Sequence, residues 1–225
     1  MEQEKQLTEQ ESLQLITDMI RKAKSSFHES GTSAILWGTV VGIAGLVSFA
    51  ERFWNFNIGF DIWLIVLAAI IPQIIISIRE SRNKKAVGLE ENAMDAIWTV
   101  YGISIFMLVF YLNLAPVMSD KWLSEAGLEM MLRDRQTGTY KHLDSSVVSG
   151  YSLLLLLYAM PTMATGIARK FRPMLVGGIA CYLFFAISCF TPTAYDLLLN
   201  GLAGIVCWLI PGLILRSRYL KGEHC

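Results

Sequence analysis

TEQESLQLITDMIRKAKSSFHESGTSAILWGTVVGIAGLV, residues Thr8–Val47, is two segments joined at Gly31. The first half is polar and periodic. Thr8 and Glu11 fit a capping box, in which a hydroxyl and a carboxylate each satisfy a free backbone N–H at a helix start. Leu13, Ile16, Ile20, Ala23 and Phe27 follow three or four apart, with Met19 beside them, so one apolar stripe runs along a helix. Gln14, Asp18, Arg21, Lys22 and Ser25 fill the other face. Such a stripe either lies on the chain's own cytoplasmic loops or the lipid interface, or docks a second protein or a second copy through Leu13, Ile16, Ile20 and Phe27. Arg21, Lys22 and Lys24 stand where each gains roughly 1 kcal/mol near an anionic leaflet. Gly31 reads as the C-cap region of this helix.

After Gly31 the chain suits only a membrane. Ala34, Gly38 and Gly42 are four apart, with Gly45 close by. This smooth ridge is a candidate helix-packing surface, because small residues at that spacing let two transmembrane backbones approach closely. Glycine is also simply common in membrane helices.

The rest of the 225-residue chain continues the pattern, with 54% hydrophobic residues and a mean hydropathy of +0.46. Six spans are expected at about 33–53, 60–78, 94–115, 147–168, 173–191 and 195–215, each close to the ~20 residues that cross a ~30 Å hydrocarbon core. The fold class is therefore all-α: six transmembrane helices in three hairpins (residues 32–216), preceded by a cytoplasmic amphipathic helix (1–31) and followed by a cytoplasmic tail (217–225). No secretory signal peptide is apparent, since the N-terminus is acidic and Gln-rich and the first apolar run starts late.

Lysine and arginine placement sets the orientation. Fourteen of the nineteen fall on the side of both termini: Lys5, Arg21, Lys22 and Lys24, then Arg79, Arg82, Lys84 and Lys85, then Arg169, Lys170 and Arg172, then Arg216, Arg218 and Lys221. Five fall opposite: Arg52, Lys121, Arg133, Arg135 and Lys141. Both termini are expected in the cytoplasm. The outer face then carries one long loop, 116–146. In it Ser119 or Asp120 would cap a short interfacial helix with Trp122, Leu123, Ala126, Met130 and Met131 on one side, ended by Gly138. This element lies on the outer leaflet or serves as a lid. Pro72, Pro161 and Pro211 mark the three returning helices, where a missing backbone hydrogen bond bends a helix.

Net charge is zero, so bulk electrostatics make no case for nucleic acid. The four cysteines form no C-x-x-C pair, which indicates neither a disulfide framework nor a zinc site. His28, His142 and His224 lie outside the spans. No nucleophile elbow, P-loop or dinucleotide fingerprint is present. No catalytic, cofactor-binding or metal-binding residue is assigned and no cofactor is implied; an enzyme is not expected. Intramembrane polar groups are the remaining suspects. Asp196 begins the sixth span, where an acid suits the helix dipole, and Asn200 is one turn deeper. With Gln73 and Asn113 they make a candidate polar pocket.

The run ESLQLITDMIRKAKSSFHESG followed by LWG resembles the start of a family of uncharacterised six-span membrane proteins of Bacteroidetes-type bacteria. The residues that carry it are Glu11, Ser12, Leu13, Leu15, Ile16, Met19, Ile20, Ala23, Lys24, Phe27, Glu29, Gly31, Leu36, Trp37 and Gly38. It covers about the first fifth of the chain, beyond which only helix count and the Ile210-Pro211-Gly212 style of the last span agree. The resemblance implies a bacterial inner-membrane location and supplies no activity. Two functions follow as expectations. One is a non-enzymatic protein of the bilayer that engages a cytoplasmic partner or another copy through its N-terminal helix, in a signalling or regulatory role. The other is a small-solute transporter with kinked helices as moving parts.

Overall fold

The computed structural model describes residues 14, 17, 30–83, 89–142 and 150–221. They are mostly helical. In chain order they form α1 (Thr32–Trp54), α2 (Leu64–Ala68), α3 (Ile70–Asn83), α4 (Leu89–Glu125), the strands β1 (Met131–Arg133) and β2 (Tyr140–His142), then α5 (Tyr151–Ala168), α6 (Arg172–Ser188), α7 (Thr193–Ala203), a π turn (Gly204–Leu209) and α8 (Ile210–Lys221). Helix α7, the π turn and α8 run on as one rod over Thr193–Lys221.

Four helices among the described residues are long and apolar enough to cross a membrane: Thr32–Trp54, Asn92–Glu125, Tyr151–Ala168 and Thr193–Lys221. The other two expected spans take different forms. The stretch at 173–191 is the shorter apolar helix α6, 17 residues long. The stretch at 60–78 is two helices, α2 and α3, divided at Ala69. The division has a local cause. Pro72 has no N–H to donate to the carbonyl of Ala68, and its ring crowds that carbonyl. As the third residue of α3, Pro72 sits where a helix tolerates it.

The third span does not end before Pro116, where the outer loop was expected to begin. Helix α4 passes through Pro116 to Glu125. One proline removes one hydrogen bond, and neighbouring turns carry the rest. Ser119 and Asp120 therefore lie inside a continuing helix and do not cap a new one. Gly127, at φ 70°, is where the chain leaves it. Met131, expected on an interfacial helix, begins a two-stranded hairpin pairing Met131 with His142, Leu132 with Lys141 and Arg133 with Tyr140. Asp134 closes its turn by accepting the backbone N–H groups of Gln136 (2.8 Å) and Thr137 (3.2 Å). Gly138, at φ 68°, belongs to that turn.

Central and peripheral helices are distinct. Over its most apolar 18 residues the Thr193–Lys221 rod is 56% buried, whereas the corresponding stretch of Asn92–Glu125 is 0% buried. Val100, Ile103, Phe106, Phe110 and Val117 of α4 all point outward. Lipid tails accept such a surface at no hydrophobic cost. Pro211 follows the π turn in the rod. It cannot donate to the carbonyl of Cys207, and a widened turn gives its ring room there.

Of the N-terminal segment, Gln14 and Thr17 are helical and exposed. Leu13, Ile16, Ile20 and Phe27, with the Thr8 and Glu11 capping pair, lie outside the described residues, as does the tail beyond Lys221.

Candidate functional site

The glycine ridge of α1 packs against the Thr193–Lys221 rod. A Cβ placed on Gly38 would run into the backbone nitrogen of Leu209, and one on Gly45 would lie 2.5 Å from that of Gly201. Gly42 faces Ile205 and the carbonyl of Gly201. The opposing ridge is also small: Gly204 meets Gly42 and Gly38, and Gly212 meets Ala34 and Ile35. As the α1 numbers rise the rod numbers fall, so the two helices are antiparallel.

The seam brings the start of α1 beside the end of the rod. Gly31, left-handed at φ 67°, abuts the carbonyl of Gly212 and the Cβ of Leu215. Ser30 Oγ donates to Glu80 Oε1 of α3 at 2.7 Å. Phe171, Met174 and Leu215 form a small buried cluster there, with Arg218 over the Phe171 ring. The N-terminal segment is thus joined to a closed corner built from α1, α3, α6 and α8. At the far end Phe49 meets Tyr195, Trp63 stacks on Tyr151, and Arg52 lies over Tyr151.

The four polar-pocket candidates do not converge. Asp196 and Asn200 are neighbours on α7, exposed by only 2% and 0%. Asn200 Nδ2 donates to the carbonyls of Tyr151 (2.9 Å) and Asp196 (2.8 Å), tying α7 to the start of α5. Its Oδ1 is buried without a hydrogen-bond partner among the described residues. Gln73 is elsewhere. It accepts from Trp37 Nε1 at 3.0 Å and donates to Ser33 Oγ at 3.2 Å, joining α3 to α1. Ser33 and Gly45, the latter at the level of Gly201, are twelve residues apart, about 18 Å along a helix. Asn113 is exposed on α4 and donates to its own backbone at Val109. Gln73 and Asn113 are therefore not part of the Asp196–Asn200 site.

The bundle centre pairs polar groups from different helices. Trp208 Nε1 donates to Thr162 Oγ1 at 3.0 Å, and Trp98 Nε1 donates to Thr165 Oγ1 at 3.1 Å. Each threonine hydroxyl donates in turn to the carbonyl four residues back, at Tyr158 and Pro161. Tyr158 and Tyr101 pack on Trp208. Beside them Cys181 Sγ and Cys207 Sγ lie 2.9 Å apart, both fully buried, and Cys207 donates to the carbonyl of Gly177 at 3.1 Å. Thr162 is among the few polar residues that the sequence places at mid-membrane, but neither its Trp208 partner nor the Trp98–Thr165 pair is signalled there. Their partners come from different helices, which a one-dimensional pattern does not relate.

No group of three or more His, Cys, Asp or Glu side chains among the described residues is placed to hold a metal ion. No family model matches this chain, and no curated protein and no solved structure shows significant similarity to it.

Proposed function

We propose that this is a six-span protein of the bacterial inner membrane, with both termini in the cytoplasm. On this reading it is non-enzymatic and presents its N-terminal amphipathic helix to a cytoplasmic protein or to a second copy, in a signalling or regulatory role. The observation that carries the reading is the corner at Gly31. There the chain enters α1 against Gly212 and Leu215, next to the Ser30–Glu80 hydrogen bond. A docking segment that starts from such a corner is anchored at a fixed point of the bundle, beside Gly212 and Leu215. The filled centre of Trp208, Tyr158, Thr162 and Leu155 agrees with a scaffold better than with a solute path. The basic residues Arg79, Arg169 and Arg216 near the same corner fit a cytoplasmic face, and the N-terminal resemblance supports the bacterial location. Helix α6 and the α2–α3 pair supply the two remaining crossings. At 37 residues, about 55 Å, α4 would cross and carry the hairpin outside.

The test is Ile16→Glu with Ile20→Glu. The doubly charged form is expected to reach normal membrane levels and to lose its cytoplasmic partner or its self-association. Unchanged association would overturn the docking role.

A transporter reading is favoured by one observation, the burial of Asp196 and Asn200 inside an apolar bundle. It expects one solute class to raise the thermal midpoint of the wild type and to leave Asn200→Leu unmoved.

A further inference from the structure

We propose that Cys181 and Cys207 are a built oxidation site, a thiol pair that closes to an interhelix disulfide on exposure to peroxide. The two residues are 26 apart in sequence and sit on α6 and in the π turn of the rod. Three features bring them together. Gly177, one turn before Cys181, lets the backbones meet: a Cβ there would lie 2.9 Å from Cys207 Cα. The π turn holds Cys207 at this contact, and such single wide turns recur at functional positions. Cys207 donates to the carbonyl of Gly177, which leaves its sulfur to receive the Cys181 thiol at 2.9 Å. Forming the bond takes a shift of only about 1 Å to reach a disulfide length.

Hydrogen peroxide is small and neutral, so an apolar interior admits it where charged oxidants stop. One thiol sulfur attacks a peroxide oxygen and the O–O bond breaks. A sulfenic acid forms, and the departing hydroxide takes the thiol proton and leaves as water. The second sulfur then attacks the sulfenic sulfur, the S–O bond breaks, and that hydroxide leaves as water with the second thiol proton. One peroxide and two thiols give one disulfide and two waters. Burial slows the first attack, because peroxide must pass packed side chains to reach either sulfur. The contact between the sulfurs means that a sulfenic acid, once formed, meets its resolving thiol at once and is not oxidised further.

The experiment treats the full-length protein in detergent with hydrogen peroxide, denatures it, alkylates free thiols and maps peptides by mass spectrometry. The wild type is expected to yield one linked peptide pair containing Cys181 and Cys207, about two mass units below the sum of the reduced peptides. Its thermal midpoint is expected to rise, and a phosphine reductant to reverse both changes. A Cys189→Ser, Cys225→Ser form should give the same linkage, and Cys181→Ser should abolish it. Recovery of Cys181 and Cys207 as alkylated thiols while exposed Cys189 is oxidised would overturn the proposal. So would sulfinic or sulfonic acid at either position without the linked pair. The wild-type map alone decides the matter if a serine form does not fold.

Discussion

Gly45 of α1 and Gly201 of α7 meet backbone to backbone: a Cβ on Gly45 would lie 2.5 Å from the Gly201 nitrogen and 2.7 Å from its Cα. No rotamer change relieves that contact, because the atoms belong to main chain. Gly45→Leu and Gly38→Leu are therefore expected to lower the thermal midpoint in detergent, since overpacking costs about 1–3 kcal/mol or more. Gly102 is the control, with nothing within 4 Å of its Cβ position. Gly102→Ala should be neutral or slightly stabilising, by up to about 1 kcal/mol for a helix interior. Equal midpoints for Gly38→Leu and wild type would place the ridge against lipid.

The α1 ridge was legible as four-residue spacing of Ala34, Gly38 and Gly42. Its partner was not. Gly201, Gly204 and Gly212 are irregularly spaced, and the π turn between them breaks the period that reading a helix depends on. The adjacency of Asp196 and Asn200 was legible for the same reason as the ridge. Whether Gln73 or Asn113 would join them depended on helix neighbours, which hydropathy does not encode. Pro116 misled because a proline in an apolar helix and a proline at a helix boundary look alike in sequence.

Thr162 is the acceptor for the buried Trp208 indole N–H. Thr162→Val keeps the shape and strands that donor, which typically costs about 1–3 kcal/mol. Thr162→Ser keeps the hydroxyl and should recover most of the loss. A valine variant as stable as wild type would show that the indole finds another acceptor.

The proposed topology is checked by reporter fusions. Fourteen basic residues against five predict that alkaline phosphatase fused after Met131 is active and that fusions after Lys85 or Glu223 are silent. Activity at Lys85 would invert the assignment.

The hairpin turn should depend on pH. Backbone N–H groups of Gln136 and Thr137 stabilise the ionised Asp134 carboxylate and hold its pKa below the ordinary value. A depressed folded-state pKa contributes stability that is present above the unfolded value and lost as pH falls through the folded one. Amide signals of Gln136 and Thr137 are expected to shift as pH drops below the usual carboxylate range. Asp134→Asn should remove that titration.

Asn200 separates a structural from a transporting role for the buried pair. Its amide joins α7 to the Tyr151 carbonyl and to the Asp196 carbonyl, so Asn200→Leu is expected to destabilise the protein by about 1–3 kcal/mol through lost hydrogen bonds to buried groups. If the pair is structural, the variant and the wild type should show the same flat response of thermal midpoint to sugars, amino acids, metal ions and organic anions, offset by a constant amount. If the pair binds a solute, the wild type alone should rise with one class, in proportion to the logarithm of its concentration above Kd. The filled aromatic centre about two turns deeper, at Trp208 and Tyr158, leads us to expect the flat response. A saturable, class-specific rise that vanishes in Asn200→Leu and survives charging of Ile16 and Ile20 would make transport the better reading.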